Sequence, residues 1–175
     1  MAEVPLAAVA AAVAEADGSV SGTHSIYAPR NTGRGIVIHD GKILLIERWR
    51  PGFHYFSIPG GGIEVGETPE QTAVREIFEE TTIDCDLDRL VFVMQDGTIK
   101  HHIFLCNYLK GEPLLHEDAP EAQNPSPDNR FEPAWVPIDK LTDMTFTYWD
   151  PLKLPIVNGL KNGFPDIPLT ISINS

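Results

Sequence analysis

Three glutamates, Glu76, Glu79 and Glu80, stand at positions i, i+3 and i+4 of one segment. On an α-helix this spacing places the three carboxylates on one face, where each like-charge pair costs about 0.2–0.5 kcal/mol. A cation among the carboxylates would remove that cost. Hard divalent cations take oxygen ligands, and Mg²⁺ is usually held by one or two carboxylates together with substrate phosphates. The trio therefore indicates a site for Mg²⁺, with Mn²⁺ as the alternative.

The neighbouring residues predict a helix over 69–81 that carries these carboxylates. Thr68 suits the N-cap position, and Pro69 suits the first helical position. The apolar stripe that predicts the packed face of this helix comprises Val74, Ile77 and Phe78. Just before the helix, residues 59–62 read Pro-Gly-Gly-Gly, a loop whose backbone can approach a ligand closely because no side chain is in the way.

Residues 61–83 resemble the Nudix box, a family pattern of glycine, glutamate, arginine and aliphatic residues at fixed offsets. The positions that match in register are Gly61, Glu67, Arg75, Glu76, Ile77, Glu79, Glu80 and Ile83. Thr82 departs from the pattern, since the family has Gly there. Gly just past a helix end adopts the left-handed conformation at little cost, whereas a β-branched Thr would be strained. We therefore expect the helix to end differently or to run on by one residue, with the metal site intact.

The resemblance implies a role for each matching charged residue. The implied metal ligands are Glu76, Glu79 and Glu80, joined by a backbone carbonyl of Gly60 or Gly61. Arg75 would orient one of the glutamates, and Glu67 would pair with Arg75 or with water on the metal. A further catalytic carboxylate is implied in the loop after the second hairpin, where Glu117 is the candidate and Asp118 and Glu132 are the alternatives. The implied catalytic set is Glu79, Glu80, Glu67, Arg75 and Glu117.

Candidate substrate-binding residues precede the glycine loop. Arg48 and Arg50 are placed to meet phosphates, to which arginine binds through two parallel hydrogen bonds. Tyr55 is placed to stack on a base. The alternative interpretation is that the arginines are surface residues and that the tyrosine packs in the core.

The composition excludes some partners. Among 175 residues, 13 are basic and 25 are acidic, for a net charge of −12. This balance argues against a nucleic acid polymer, which requires a basic footprint, and no apolar run is long enough to predict a membrane span. Cys85 and Cys106 are typical of small buried residues in a reducing compartment, so we expect a cytoplasmic protein. The partner that the Nudix resemblance implies is a small-molecule nucleoside diphosphate derivative, and a homodimer is left open.

Turn signals and apolar runs predict strands on both sides of the helix. Asp40-Gly41 and Asp96-Gly97 are hairpin signals. The predicted strands cover 35–39, 43–47, 55–58, 89–95, 101–109 and 132–138, and a terminal helix is predicted over 152–160. This order predicts an α/β (α+β) fold, and the resemblance implies a Nudix-type α/β/α sandwich with a central mixed sheet.

Three regions are expected along the chain. Residues 1–24 would form an Ala-rich helix and a connector, residues 25–162 the Nudix hydrolase domain, and residues 163–175 a tail. The loop over 110–131 contains four prolines. A loop of this length in a compact domain is either functional or disordered.

The resemblance also implies an activity, Mg-dependent hydrolysis of a nucleoside diphosphate linked to another moiety. In the family, a preference for ADP-ribose accompanies a Pro after the box, and no Pro lies between Ile83 and Glu112. A preference for dinucleoside polyphosphates accompanies a Tyr slightly later, and residues 99–101 contain none. By elimination we expect a MutT-like nucleoside triphosphate pyrophosphohydrolase that releases a monophosphate and pyrophosphate. The alternatives are a nucleotide-sugar or ADP-ribose pyrophosphatase and a non-catalytic nucleotide sensor.

Overall fold

The computed structural model describes residues 30–117, 119, 122, 126, 129–146 and 150–173, so the proposed helix and connector over 1–24 lie outside the described residues. The strands are β1 (Thr32–His39), β2 (Lys42–Arg50), β3 (Phe53–Ser57), β4 (Gly60–Gly62), β5 (Asp84–Asp96), β6 (Ile99–Lys110), β7 (Arg130–Pro137) and β8 (Leu169–Ile173). The helices are α1 (Pro69–Thr81) and α2 (Asp150–Asn162), and a 3₁₀ helix spans Ile138–Asp143. No helix in this part of the chain is long and apolar enough to cross a membrane.

The strands form one mixed sheet with the order β3-β2-β1-β6-β5-β8. The glycine strand β4 pairs with β1, and β7 pairs with β2. The β1–β6 and β5–β8 pairs are parallel, and the other pairs are antiparallel. This arrangement confirms the expected central mixed sheet.

Apolar side chains cover both faces of the sheet, because successive residues of a strand point to opposite sides. On one face, Val37 lies in a core cluster with Ile77 of α1. On the other face, Ile36 lies in a second cluster with Ile156 of α2. Each helix therefore covers one face, which confirms the α/β/α sandwich.

Helix α1 begins and ends at the predicted residues, but part of its predicted apolar stripe is wrong. Phe78 is 41% exposed, and the buried residues of α1 are Thr72, Ala73, Ile77 and Thr81. The cause is the close approach of α1 to β1. A Cβ atom added to Gly33 would stand only 2.9 Å from the backbone nitrogen of Ala73. The glycines of β1 let Ala73 and Ile77 face the strand directly, and Phe78 lies outside this contact.

Thr82 takes the left-handed conformation expected of the family's Gly, with φ 55° and ψ 16°. Its N–H donates to the Phe78 carbonyl at 2.8 Å and ends the helix. Its hydroxyl donates to the carbonyl oxygen of Glu112 at 2.9 Å. This hydrogen bond to the following loop offsets part of the strain, so the helix neither runs on nor ends elsewhere.

Two substitutions can measure the strain of the left-handed conformation at Thr82 against the stabilisation by its hydrogen bond to Glu112. Thr82→Ala removes the hydroxyl and keeps a side chain in the left-handed region, so we expect the free energy of unfolding to fall by about 1 kcal/mol. Thr82→Gly also loses the hydrogen bond but relieves the strain, so it should be more stable than Thr82→Ala by about 1 kcal/mol. Urea unfolding of the three proteins tests this order, and Thr82→Gly below Thr82→Ala would contradict it.

The C-terminal residues differ from the expected tail. Residues 169–173 form β8, which pairs in parallel with β5 from Phe92 opposite Leu169 to Asp96 opposite Ile173. The alternating Leu-Thr-Ile-Ser-Ile pattern spans only five residues, and its pairing with β5 makes it a strand. The hairpin at Asp40-Gly41 is confirmed, because His39 pairs with Lys42 across it.

Candidate active site

The glycine strand β4 lies between charged side chains on its two sides. A Cβ atom on Gly61 would stand 2.5 Å from Cδ of Glu76, on the α1 side. A Cβ atom on Gly60 would stand 2.5 Å from Cγ of Arg34, on the other side. Gly60 also has φ +142°, a value that residues with a side chain rarely adopt. Glycine is therefore required at both positions for the strand to fit between the carboxylate and the arginine.

Glu76 is more buried than Glu79, with 17% of its side chain exposed against 47%. Burial raises the pKa of its carboxyl group, and the charge and hydrogen bond of Arg75 act in the opposite direction. A buried carboxylate favours a nearby positive charge, because isolated charges are costly to remove from water.

Arg75 contacts three carboxylates. Its Nε and Nη2 donate to the two oxygens of Glu67 at 2.7 and 3.0 Å. Its Nη1 donates to Oε1 of Glu76 at 2.9 Å and to Oε2 of Glu79 at 3.0 Å. These hydrogen bonds, chiefly that of Glu67, raise the pKa of the Arg75 guanidinium. Arg75 thereby holds one oxygen each of Glu76 and Glu79, and stays charged.

Glu67 is fully engaged in hydrogen bonds. The Arg75 side chain is the main cause that lowers the pKa of Glu67 to about 2, and the Thr72 hydroxyl and Glu64 N–H add to this effect. The Thr72 hydroxyl lies 2.8 Å from Oε2 of Glu67, and the Glu64 N–H lies 3.1 Å from the same oxygen. A carboxylate with so low a pKa accepts protons poorly at neutral pH. The geometry therefore favours pairing with Arg75 over a direct proton-transfer role.

Glu80 and Glu79 differ in how firmly they are held. Glu80 Oε2 accepts a hydrogen bond from the Gly60 N–H at 2.8 Å, which ties the carboxylate to the glycine strand. Glu79 is 47% exposed, and its ion pair with Arg75 spans one helical turn. Glu79 therefore has the greater freedom to move towards a ligand.

The segment that carries Glu117 runs beside the C-terminal half of α1. The Leu114 N–H donates to the Thr81 carbonyl at 2.9 Å, and the rings of His116 and Phe78 lie 5.7 Å apart. Of the two alternatives, Asp118 lies outside the described residues. Glu132 forms an ion pair with Arg130 on β7. It shares the α2 face of that strand with Ala134 and Val136, which belong to the α2-side core.

The predicted substrate-binding residues lie on β2 and β3. Arg48 is 9% exposed, and its guanidinium lies 4.6 Å from the ring centre of Phe131. Tyr55 pairs with Arg48 across β2 and β3 and is also buried. By strand alternation, Arg48 and Arg50 share the α1 face of β2 with Leu44, which belongs to the core under α1. Both arginines therefore point to the side of the sheet that carries the carboxylates, and their contact with substrate stays a prediction.

Sequence reasoning assigned no role to Arg34, which lies opposite Gly60 of the glycine strand, or to His101, which pairs with Thr32 on the other edge of β1. Arg34 Nη1 donates to the carbonyl oxygens of Gly60 at 2.8 Å and Ile58 at 3.3 Å. His101 is 5% exposed, and its Nδ1 lies 2.9 Å from the Thr32 hydroxyl. Arg34 stands between two glycines just before the predicted strand at 35–39, so no local pattern indicated a role for it.

The buried His101 side chain is expected to lower the free energy of unfolding in acid. Burial is the main cause that lowers its pKa to about 3, and the charges of Arg34 and His102 add to it. The unfolded chain binds a proton near the ordinary value of 6.5, so His101 reduces stability as pH falls from there towards 3. Relative to pH 7.5, this loss should reach about 2 kcal/mol at pH 5.

The check is urea unfolding of the wild type and of His101→Gln at both pH values. Gln cannot titrate, so the variant should lose less stability between the two conditions than the wild type. Equal losses in the two proteins would show that His101 already titrates normally in the folded state.

A concavity of about 400 Å³ lies on the α2 face of the sheet, away from the carboxylates. Its lining includes Glu47, His54, Phe56, Lys140, Asp143 and Thr145. The His54 Nε2 atom lies 2.7 Å from Oε1 of Glu47. The lining lacks Glu76, Glu79 and Glu80, so the carboxylates do not lie in this cavity.

The donors on the carboxylate face suit a divalent cation. Glu76 and Glu79 each use one oxygen for Arg75, and each carboxylate has a second oxygen. Within the described residues, no three Asp, Glu, His or Cys side chains converge into a preformed metal cage. Mg²⁺ does not require such a cage, since it keeps several waters and binds through one or two carboxylates and the substrate's phosphates. The residues therefore fit a cation whose other ligands are waters, with phosphate oxygens added when substrate binds.

Comparison with known proteins identifies the family. The NUDIX domain family matches residues 29–155. This chain belongs to the Nudix family. The Nudix match covers all the carboxylates described above, together with β1 to β7 and the start of α2.

Relatives with curated names include an ADP-ribose pyrophosphatase of Methanocaldococcus jannaschii. It is 38% identical over 96 residues, which cover 51% of this chain and 57% of the relative. An 8-oxo-dGTP diphosphatase of Escherichia coli is 33% identical over 93 residues, which cover 49% of this chain and 72% of the relative. The chain spans less than half the length of several other curated relatives that it matches.

Among solved structures, a NUDIX hydrolase from Nitrosomonas europaea superposes with a TM-score of 0.63. The match covers 85% of this chain and 81% of that protein at 20% identity. At this identity the likeness concerns the fold alone, and it agrees with the sandwich described above.

Proposed function

We propose that this Nudix protein hydrolyses a phosphoric anhydride bond in a nucleoside diphosphate derivative, with a divalent cation present. The observation that carries the proposal is the contact of two α1 carboxylates, those of Glu76 and Glu80, with the glycine strand. Glu76 fills the space beside Gly61, and Glu80 binds the Gly60 N–H. This places carboxylate oxygens next to the backbone of Gly60 and Gly61, whose carbonyl oxygens are also ligands of the kind that hard divalent cations take.

Glu76, Glu79 and Glu80 would hold the cation, together with a carbonyl of Gly60 or Gly61. We assign Mg²⁺, with Mn²⁺ as the alternative, because all the donors are oxygen atoms. When bound, such a cation neutralises charge on phosphate oxygens and makes water more acidic. Arg75 keeps Glu76 and Glu79 from turning away, since it binds one oxygen of each.

Hydrolysis also requires a group that accepts a proton from the attacking water. Glu67 is disfavoured because its pKa is lowered to about 2. Glu79 is partly exposed and is held by a single contact with Arg75, so it can reach a water molecule. Glu80 and Glu117 remain the other candidates, and Glu117 lies in the segment beside the end of α1.

For the substrate we propose a nucleoside triphosphate that is cleaved to a monophosphate and pyrophosphate. The absence of Pro between Ile83 and Glu112 supports this choice, as does the name of the Escherichia coli relative. The name of the Methanocaldococcus relative favours a second candidate, ADP-ribose. The proposal includes a cytoplasmic location, supported by Cys85 and Cys106, which are both free and buried.

The test is a substrate panel incubated with the full chain and Mg²⁺ or Mn²⁺. For a triphosphate, free phosphate should be released only after inorganic pyrophosphatase is added. For ADP-ribose or a nucleotide sugar, phosphate should be released only after a phosphomonoesterase is added. Binding of nucleotides by calorimetry without turnover of any of them would replace the enzyme with a sensor.

A further inference from the structure

Arg34 is the charged residue in closest contact with the glycine strand on the side away from α1. It lies in β1 directly opposite Gly60 in the antiparallel register. Its Nη1 donates to the Gly60 carbonyl at 2.8 Å and to the Ile58 carbonyl at 3.3 Å. The guanidinium therefore holds the chain at both ends of the Pro59 turn.

Gly60 connects this arginine to the carboxylate face. Its carbonyl accepts from Arg34, and its N–H donates to Oε2 of Glu80 at 2.8 Å. The space where a Gly60 side chain would lie is filled by Cγ of Arg34 and by the Gly33 carbonyl. With φ +142°, Gly60 has no steric preference of its own for this conformation. The neighbouring contacts must therefore select the conformation.

We infer that Arg34 is a positioning residue that sets the metal-binding geometry of Gly60 and Glu80 without touching substrate. This inference rests on the proposed function, since it assumes that a cation binds at these groups. Arg34 acts through the backbone around Gly60. It binds the Ile58 and Gly60 carbonyls, which belong to the peptide units on either side of the one that carries the Gly60 N–H. By holding both neighbouring units, Arg34 fixes the direction of the N–H that orients Glu80. Partners that orient metal ligands in this way contribute about 10- to 100-fold to metal affinity or activity.

The direction in which Arg34→Met changes cation affinity separates positioning from a direct electrostatic influence. Arg34 carries a positive charge close to the proposed cation site. If charge alone mattered, Arg34→Met would increase cation affinity, because removal of a like charge removes repulsion. If positioning dominates, the same substitution weakens cation binding, because Gly60 and Glu80 lose their fixed geometry.

The experiment is a titration of the full chain with Mn²⁺ alone, followed by electron paramagnetic resonance of free Mn²⁺. Arg34→Met should raise the Kd by about 10- to 100-fold. Arg34→Lys keeps one donor and should recover part of the affinity. Arg89→Met is the matched control: Arg89 also donates to two backbone carbonyls, those of Phe164 and Pro165, at 3.4 and 3.5 Å. It should leave the Kd unchanged.

Urea unfolding shows whether each variant is folded, and Arg34→Lys keeps the test decisive if Arg34→Met is not. With the best nucleotide, the Arg34 variants should lower kcat with little change in KM. Unchanged or tighter Mn²⁺ binding by both Arg34 variants would overturn the inference and leave the proposed function standing. A wild-type chain that binds no Mn²⁺ and hydrolyses no nucleotide would end both.

Discussion

Replacing Glu80 with Gln is expected to lower the kcat of nucleotide hydrolysis by about 10²- to 10⁴-fold without unfolding the protein. The amide oxygen of Gln can still accept the hydrogen bond that Gly60 N–H now donates to Glu80 at 2.8 Å. The glycine strand should therefore stay in place. What is lost is the negative charge, and a neutral amide binds a hard divalent cation much more weakly than a carboxylate does.

The control for Glu80→Gln is the same substitution at Glu70. Glu70 lies in the first turn of α1 and is exposed, so Glu70→Gln removes one charge from the same helix, away from the three carboxylates. It should lower stability by about 0.5 kcal/mol, through the helix dipole, and leave kcat within about twofold. Steady-state kinetics with Mg²⁺ and urea unfolding measure both effects. Wild-type turnover by Glu80→Gln would remove Glu80 from the catalytic set.

The parts of the site that local signals specify were predictable. Thr68 and Pro69 determine the start of α1, and the structure adds a reciprocal hydrogen bond between Thr68 and Gln71 that completes the cap. The bounds of the helix and the shared face of its glutamates follow from spacing within a few turns. These features need no knowledge of the rest of the fold.

The parts that depend on long-range contacts were not predictable. Helical periodicity predicts the burial of Phe78, but the close approach of α1 to Gly33 and Gly35 places Ala73 and Ile77 at the contact instead. Strand β8 forms through pairing with β5, whose sequence lies far away along the chain. Arg34 is likewise 26 residues from Gly60. Sequence spacing cannot show which distant backbone a charged side chain will reach.

Gly61 is a position that the sequence pattern predicts, and the fold brings it against Glu76. Gly61→Ala should therefore be the most informative backbone substitution. The added Cβ atom would stand 2.5 Å from Cδ of Glu76, which is too close for both groups to keep their positions. Glu76 is confined by α1 and by its hydrogen bond to Arg75, so its carboxylate must rotate away from the glycine strand. We expect a decrease in kcat of about 10²-fold, since displacing a group by about 1 Å costs that much.

The adjacent Gly62→Ala is the control for this substitution. Its Cβ atom would meet only the end of the Arg30 side chain, with the nearest atom at 3.0 Å. A flexible, exposed arginine can move aside, so this variant should keep kcat and Mn²⁺ affinity near the wild-type values. Both variants add one methyl group to the same strand, so a difference between them reports the position of Glu76 and not the loss of glycine. Equal activities for the two would mean that the Glu76 carboxylate is not needed beside Gly61 for catalysis.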